Sequence, residues 1–464
     1  MQTTTTTQQN IPARIDRLPI SREILWILLL AGIAWLLESY DIGVIGTVLP
    51  TLRDQFQPDT FNEGLLAVAS TLGIVVSVIP AGWLADKFGR KNMLALGTAW
   101  YALFSMLCAF APNVQIISLL RFISGFGMGA IFPIPYAMAA EFTPGNARGM
   151  MTAILDSFLS VGYFVAPLLG FAFASWLPTN LAWRGLFLIG GLPLFYVPVL
   201  LKWMPESPRW LQIRGRSSEA DYIVTDIETA IERRSGAPLP SPRAQVQPEA
   251  QVNTSIASIF QKQYLRRTIM MWISFACILF IFYSIQTFTP SVLVDREYGL
   301  GDSFLYTSII VLASIPGKYA AAYTLERWGR KATLISFTVI AAVSALLFAL
   351  SQNVTQALIF GMLMSFFGIG VDPAIKIYGA EQYPTSIRAV GVSGFEGIGR
   401  LFGGALAPFI MAYILAAGDV LGSYVFVAVL ALIGVGTVAI FGRETHGKTI
   451  EAAVDNSPSV RTAA

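Results

Sequence analysis

The chain has 464 residues, 55% hydrophobic and only 13% charged, with a mean hydropathy of +0.61. A soluble chain of this length covers its surface with about 25% charged residues, so the composition excludes a soluble protein, and a net charge of +3 is too small to point to nucleic acid. Cys108 and Cys277 fall inside apolar runs and read as small core residues, neither a disulfide framework nor metal ligands. The single histidine, His446, lies beyond the last apolar run, so no histidine serves a proton relay inside the bilayer.

A polar, Thr/Gln-rich segment comes first, and 1–21 is expected to be a cytoplasmic tail. Each bilayer crossing needs about 20 mostly apolar residues. Apolar runs at 22–52, 62–84, 92–111, 115–140, 149–173 and 182–204 predict a first six-helix bundle over 22–204. The opening run is too long, and too interrupted by acids, for a cleavable signal peptide. A linker follows over 205–266, with an amphipathic stretch at 217–234 and a Pro/Ala/Gln-rich piece at 237–252 expected to lack fixed structure. Runs at 268–293, 302–325, 332–351, 355–379, 389–415 and 420–441 predict a second bundle over 267–441, then a cytoplasmic tail over 442–464. The expected fold is an all-α membrane protein of about twelve spans in two pseudo-symmetric bundles.

Basic residues set the expected orientation. Lys87, Arg90, Lys91, Arg148, Arg209, Arg214, Arg216, Arg233, Arg234, Arg327, Arg330 and Lys331 follow even-numbered spans, whereas loops on the other side carry only Arg53, Arg184 and Arg296. Both termini are therefore expected in the cytoplasm of a multi-pass protein of the cell (inner or plasma) membrane. Lys318, near the cytoplasmic end of the eighth span, is expected to snorkel to the interface.

One constant offset of 240 relates the halves. Asp86-Lys87-Phe88-Gly89-Arg90-Lys91 recurs as Glu326-Arg327-Trp328-Gly329-Arg330-Lys331. Glu141, Pro144 and Arg148 recur as Glu381, Pro384 and Arg388, Pro50 as Pro290, and Asp156 as Glu396. Such repeats, with the site near the midplane between them, are a design of secondary transporters. Acid-plus-basic pairs kept in register read as gating contacts that form and break at the cytoplasmic ends: Gly82, Asp86, Gly89, Arg90, Glu141 and Arg148, then Glu326, Arg330, Glu381 and Arg388.

The run from Gly82 to Lys91 resembles the loop between helices 2 and 3 of the major facilitator superfamily. Pro205-Glu-Ser-Pro-Arg-Trp-Leu211 and Glu444-Thr-His-Gly-Lys-Thr449 resemble the branch holding sugar porters, organic-ion transporters and synaptic-vesicle-protein-like carriers. The pattern is nearest to bacterial nicotinate and aromatic-acid carriers. In proton-coupled sugar porters, a helix 1 aspartate faces an arginine opening a glycine-rich helix 4. The resemblance makes Asp41 the proton site, Arg121 its partner and Glu38 a second candidate. Lys376 and Cys277-Ile278 stand where sugar porters carry a helix 10 tryptophan and helix 7 glutamines, which disfavours sugar. Gly399-Arg400-Leu-Phe-Gly403-Gly404 resembles the helix 11 pattern of organic-anion carriers.

Charged groups inside spans are costly and mark function by default. Arg400 offers a planar fork for a carboxylate, with Lys376 as second anchor. Their neighbours Glu396 and Asp372, each four residues away, can neutralise them along one helix face. Asp156, Trp35, Tyr40, Phe282, Tyr283 and Gln286 complete the expected substrate site, a mixture of aromatic walls and polar anchors. The expectation is a proton-coupled symporter of a small organic anion, an aromatic carboxylate such as nicotinate or a benzoate. Its partners are that anion, protons and the bilayer, and it acts as a monomer without cofactor or metal. The alternatives are an organic-cation or drug carrier using the intramembrane acids, and a non-transporting receptor or scaffold. An enzyme is not expected, for the sequence offers no nucleophile–base constellation, metal cluster or phosphate loop.

Overall fold

A computed structural model describes residues 11–144, 148–242, 256–384 and 387–446. All regular structure among them is helical. Eleven helices are long and apolar enough to cross a membrane: Arg22–Phe56, Thr60–Phe88, Val114–Phe142, Met150–Trp176, Thr179–Trp203, Lys262–Asp295, Leu300–Arg327, Arg330–Ala349, Val354–Glu381, Val390–Ala416 and Val420–Phe441. The third of the expected twelve is Arg90–Cys108, a shorter helix that starts on two basic residues. The spans are numbered below in chain order, with Arg90–Cys108 as the third.

Short polar side chains start these helices by accepting the first free N–H groups. Asp59 accepts from Asn62 N at 2.8 Å, Asn113 from Ile116 N at 2.9 Å and Asn353 from Gln356 N at 3.0 Å. Asn113 and Asn353 are themselves 240 apart, so the repeat extends to the caps. Small residues then permit close packing in a medium where apolar side chains gain nothing by leaving lipid. A Cβ added at Gly73 of the second span would lie 2.9 Å from the Cα of Gly125 in the fourth.

The described residues fall into two compact units. One holds the chain up to 248 with 283–315 and 405–420. The other holds 249–282, 316–404 and the chain from 421 onward. Within the first unit, the start of the eighth span packs on the fifth, and Ala407–Ala416 packs on the second.

Several expectations need correction. The segment taken as a polar tail contains a helix, Ile11–Asp16. Its Ile11 and Ile15 are buried against Trp210, Leu211 and Val224 of Pro208–Ile213 and Ser217–Ser235. Arg14 and Arg17 both grip Glu228, each through a 2.6 Å bond. Arg184 is not a loop residue but lies inside Thr179–Ile189. Lys318 does not snorkel; it is 1% exposed. The amphipathic stretch is a helix as its pattern required. The piece from 243 to 252, and the tail from 447, lie outside the described residues.

Candidate functional site

Asp41 and Arg121 meet in the first unit with no solvent exposure. Two charges removed from water cost several kcal/mol each unless attraction and hydrogen bonds offset that cost. Here Arg121 Nη1 donates to Asp41 Oδ2 at 2.5 Å, and Nη2 donates to the Asp41 carbonyl at 3.0 Å and Ser70 Oγ at 3.1 Å. Ser105 Oγ donates to the other carboxylate oxygen, Oδ1. The first four spans therefore all contribute to the pair. Gly190 of the sixth span closes over it, since a Cβ there would sit 3.0 Å from Asp41 Oδ1. Glu38, one turn earlier, is also fully buried. Ser105 and Ser70 were missed in the sequence, where a serine in a span carries no signal of its partner.

The expected substrate residues divide between the units. In the first, Trp35 is 1% exposed and meets Tyr136 edge-on with centroids 4.4 Å apart. Tyr136 in turn donates its hydroxyl to Asp156 Oδ1 at 2.7 Å. The structure thus joins Trp35 and Asp156 through a tyrosine that sequence reasoning passed over. Tyr40 faces elsewhere: its hydroxyl donates to the Leu186 carbonyl of the sixth span at 2.9 Å. Tyr283 is buried, and Gln286 lies against the first span, where a Cβ on Gly43 would be 3.3 Å from its Nε2.

In the second unit, Phe282 is buried. Lys376 Nζ donates to Asp372 Oδ2 at 2.6 Å and Arg400 Nη2 to Glu396 Oε2 at 3.0 Å, as the spacing of four required. Arg400 opens a π-helical stretch, Arg400–Leu406, within the eleventh span. Such wide turns in helices recur at functional sites. A cavity of about 170 Å³ in the first unit is lined by Thr47, Thr51, Trp183 and Phe304 and carries no charged side chain. None of the expected substrate residues lines it.

The sugar (and other) transporter family matches residues 27–455. The chain belongs to that family. Among curated relatives, the niacin transporter NiaP of Acinetobacter baylyi is 35% identical, over 95% of this chain and 99% of its own length. The 4-hydroxybenzoate transporter PcaK of Pseudomonas aeruginosa is 29% identical over 91% of this chain and 94% of its own. Among solved structures, a partially occluded, inward-open form of the xylose transporter XylE from E. coli superposes with a TM-score of 0.73 at 18% identity, covering 92% of this chain and all of that one. The fold is accordingly the twelve-span, two-bundle fold of the major facilitator superfamily, and the protein is a membrane transporter by family, not an enzyme.

The transporter's repeated loop motifs build the same clasp twice, once in each unit. Arg90 pairs with Asp86 at 2.6 Å and lies 3.9 Å from Glu141. Glu206 Oε1 accepts from the backbone N–H of Arg90 at 2.9 Å and of Lys91 at 3.2 Å. In the second copy Arg330 pairs with Glu381 at 3.2 Å and Glu326 at 3.3 Å. Glu444 accepts there from Arg330 N and Lys331 N at 2.9 and 3.0 Å. Burial pushes the Glu444 carboxyl up, but four backbone N–H bonds outweigh it and hold the group below the usual carboxylate range. Gly89 has φ +99°, and an added Cβ would strike Glu206. Gly82 differs: a Cβ there meets nothing within 4 Å, so no close contact demands glycine. Arg388 opens Arg388–Gly399, while the side chain of Arg148 lies outside the described residues. The caps Glu206 and Glu444 sit in the two strings that carried the resemblance.

A second ionic group was not foreseen. Arg53 binds Glu63 through Nε at 2.9 Å and Nη2 at 2.5 Å, and reaches Asp295 with Nη1 at 3.1 Å. This links the ends of the first and seventh spans with the start of the second, at the other end of the second span from the Asp86–Arg90 pair.

Proposed function

We propose that this transporter is a proton-coupled symporter of small aromatic carboxylates, with nicotinate and hydroxylated or plain benzoates as the substrate class. The observation that carries the reading is Arg400, a buried guanidinium opening a π-helical turn in the middle of a span. Its planar fork matches a carboxylate, which a lysine ammonium would hold only as a point charge. Lys376 is the second cation, and the similarity to niacin and 4-hydroxybenzoate transporters supports an aromatic acid. Asp41 is the proton carrier and Arg121 the group that tunes it, with Glu38 as neighbour. Protonation of Asp41 weakens its hold on Arg121, which couples the proton to rearrangement of the first four spans. The two clasps act as gates on the cytoplasmic side, where both termini lie, and Arg53 with its two acids lies on the outside. The bundles over 22–204 and 267–441 are the moving bodies of alternating access.

Uptake of labelled nicotinate and 4-hydroxybenzoate into proteoliposomes, with and without an inward proton gradient, tests this. Accumulation driven by the gradient is expected. Uptake indifferent to the gradient removes the proton, and absence of uptake for both acids removes the substrate class.

A further inference from the structure

We propose that the cavity of about 170 Å³ in the first unit is a binding site for one uncharged aromatic ring bearing an amide or hydroxyl group, built from residues other than the anion anchors Arg400 and Lys376. The inference does not rest on the reading of this transporter as a carrier of aromatic acids.

The walls come from the first, fifth, sixth and eighth spans, so both halves of the duplicated chain contribute. Thr47 and Val48 are buried, whereas Thr179 is exposed, so the cavity is reached from the end of the first span that carries Arg53. Its walls are held in place. Trp183 donates Nε1–H to Gln55 Oε1 at 2.8 Å and meets Phe56 and Phe187 edge-on. The Arg184 guanidinium lies over the same indole, 4.3 Å from its centroid. At Gly170 of the fifth span a Cβ would collide with Thr47 and sit 3.1 Å from Phe304, so glycine there lets the three spans meet. An apolar cavity of about 150 Å³ accommodates benzene, so the size selects a single ring.

The repeat shows why a ring fits. At the offset of 240, Gly301 corresponds to Phe61 and Phe304 to Gly64. Phe61 of the second span stacks edge-on against Phe409 of the eleventh, with centroids 5.7 Å apart, and a Cβ on Gly64 would lie 2.9 Å from that same Phe409 ring. Two rings therefore fill the contact of the second span with the eleventh. At the contact of the eighth span with the fifth, Phe304 supplies one ring over Gly170, and Gly301, at the register of Phe61, supplies none. A ligand ring takes the second place. Its substituent follows from the lining, where Thr47, Thr51 and Thr179 are the polar side chains and none is charged. A carboxylate would lose its hydration there without meeting a cation. A neutral amide or hydroxyl finds both donors and acceptors in threonine.

The test is fluorine NMR of para-fluorobenzamide titrated into the full chain in lipid nanodiscs, with empty nanodiscs measuring partition into lipid. Saturable binding to the wild-type protein is expected. Ala174→Phe grows a side chain from the cavity wall and is expected to weaken binding by about tenfold or more, the worth of burying a ring. Arg400→Ala, which removes the anion anchor, is expected to leave the affinity within about twofold. Binding no greater than that of empty nanodiscs, an affinity that Ala174→Phe leaves unchanged, or one that Arg400→Ala abolishes overturns the proposal. Should Ala174→Phe not fold, Phe304→Ala decides. Widening the cavity is expected to raise the preference for a fluoronaphthamide over para-fluorobenzamide by about tenfold relative to wild type, and an unchanged preference overturns the site. Failure of nicotinate and 4-hydroxybenzoate uptake would remove the aromatic-acid reading and leave these binding outcomes as they stand.

Discussion

Arg121 and Asp41 bond at 2.5 Å with neither side chain exposed to solvent. Removing one partner of such a pair leaves an uncompensated charge, at a cost of about 3–5 kcal/mol. Arg121→Leu is therefore expected to lower the melting temperature of the purified protein sharply, and Arg121→Leu/Asp41→Asn to recover much of the loss. Asp41→Asn alone is expected to abolish gradient-driven accumulation while substrate counterflow across proteoliposomes continues. Loss of both activities together would place Asp41 in the structure and not in the coupling.

The three charges of the Arg53 group are unequal. Glu63 is nearly buried and doubly held by Arg53, whereas Asp295 keeps about a third of its surface in solvent. Exposed ion pairs contribute about 1 kcal/mol or less. Asp295→Asn is expected to change thermal stability little, with an effect that shrinks in high salt. Arg53→Gln strips a buried carboxylate of its fork and is expected to cost about 1.5–3 kcal/mol. Thermal melts at two salt concentrations separate these cases.

The docked N-terminal helix carries a pH dependence of fixed sign. Burial raises the affinity of Glu228 for a proton, but hydrogen bonds from Arg14 and Arg17 outweigh this and hold its carboxyl below the usual 4.5. A depressed acid stabilises the folded arrangement above its ordinary value and loses that contribution as pH falls through the folded one. Protection of the amides of residues 11–16, measured against their intrinsic exchange rate at each pH, is expected to be high at neutral pH and to fall as the medium drops below about 4.5. Glu228→Gln is expected to give the low protection already at pH 7. Equal rates in both proteins at pH 7 would count against the contact.

Gly89 adopts φ +99°, a region that costs other residues about 1–3 kcal/mol. Gly89→Ala adds a collision with Glu206 and is expected to destabilise the protein by at least that amount. Gly82→Ala, with open space around it, is expected to be silent in the same melt. A gating role for Gly82 would appear only as a changed transport rate.

Much of this architecture is legible in the residues. The 240 offset announced the duplication, and charges four apart predicted the Asp372–Lys376 and Glu396–Arg400 bonds because helix geometry fixes that distance. Partners far apart in the chain were another matter. The Arg121–Asp41 contact came from resemblance. Ser105 on Asp41, Asp295 on Arg53 and Tyr136 on Asp156 left no periodic trace, since a lone hydroxyl or acid in a span does not declare its neighbour. The helix at Ile11–Asp16 escaped because six residues beside a Thr/Gln run show too little amphipathic pattern. Tyr40 was grouped with Trp35 by type, yet it bonds the sixth span.

Glu206 and Glu444 both accept from a pair of backbone amides, yet they stand 238 residues apart, out of step with the 240 that relates Arg90 and Lys91 to Arg330 and Lys331. The carboxylates were thus supplied from flanking chain that did not keep the duplicated register. Each clasp can therefore be weakened by changing one acid, leaving its twin untouched, so that one half of the duplicated chain is loosened while the other stays fastened.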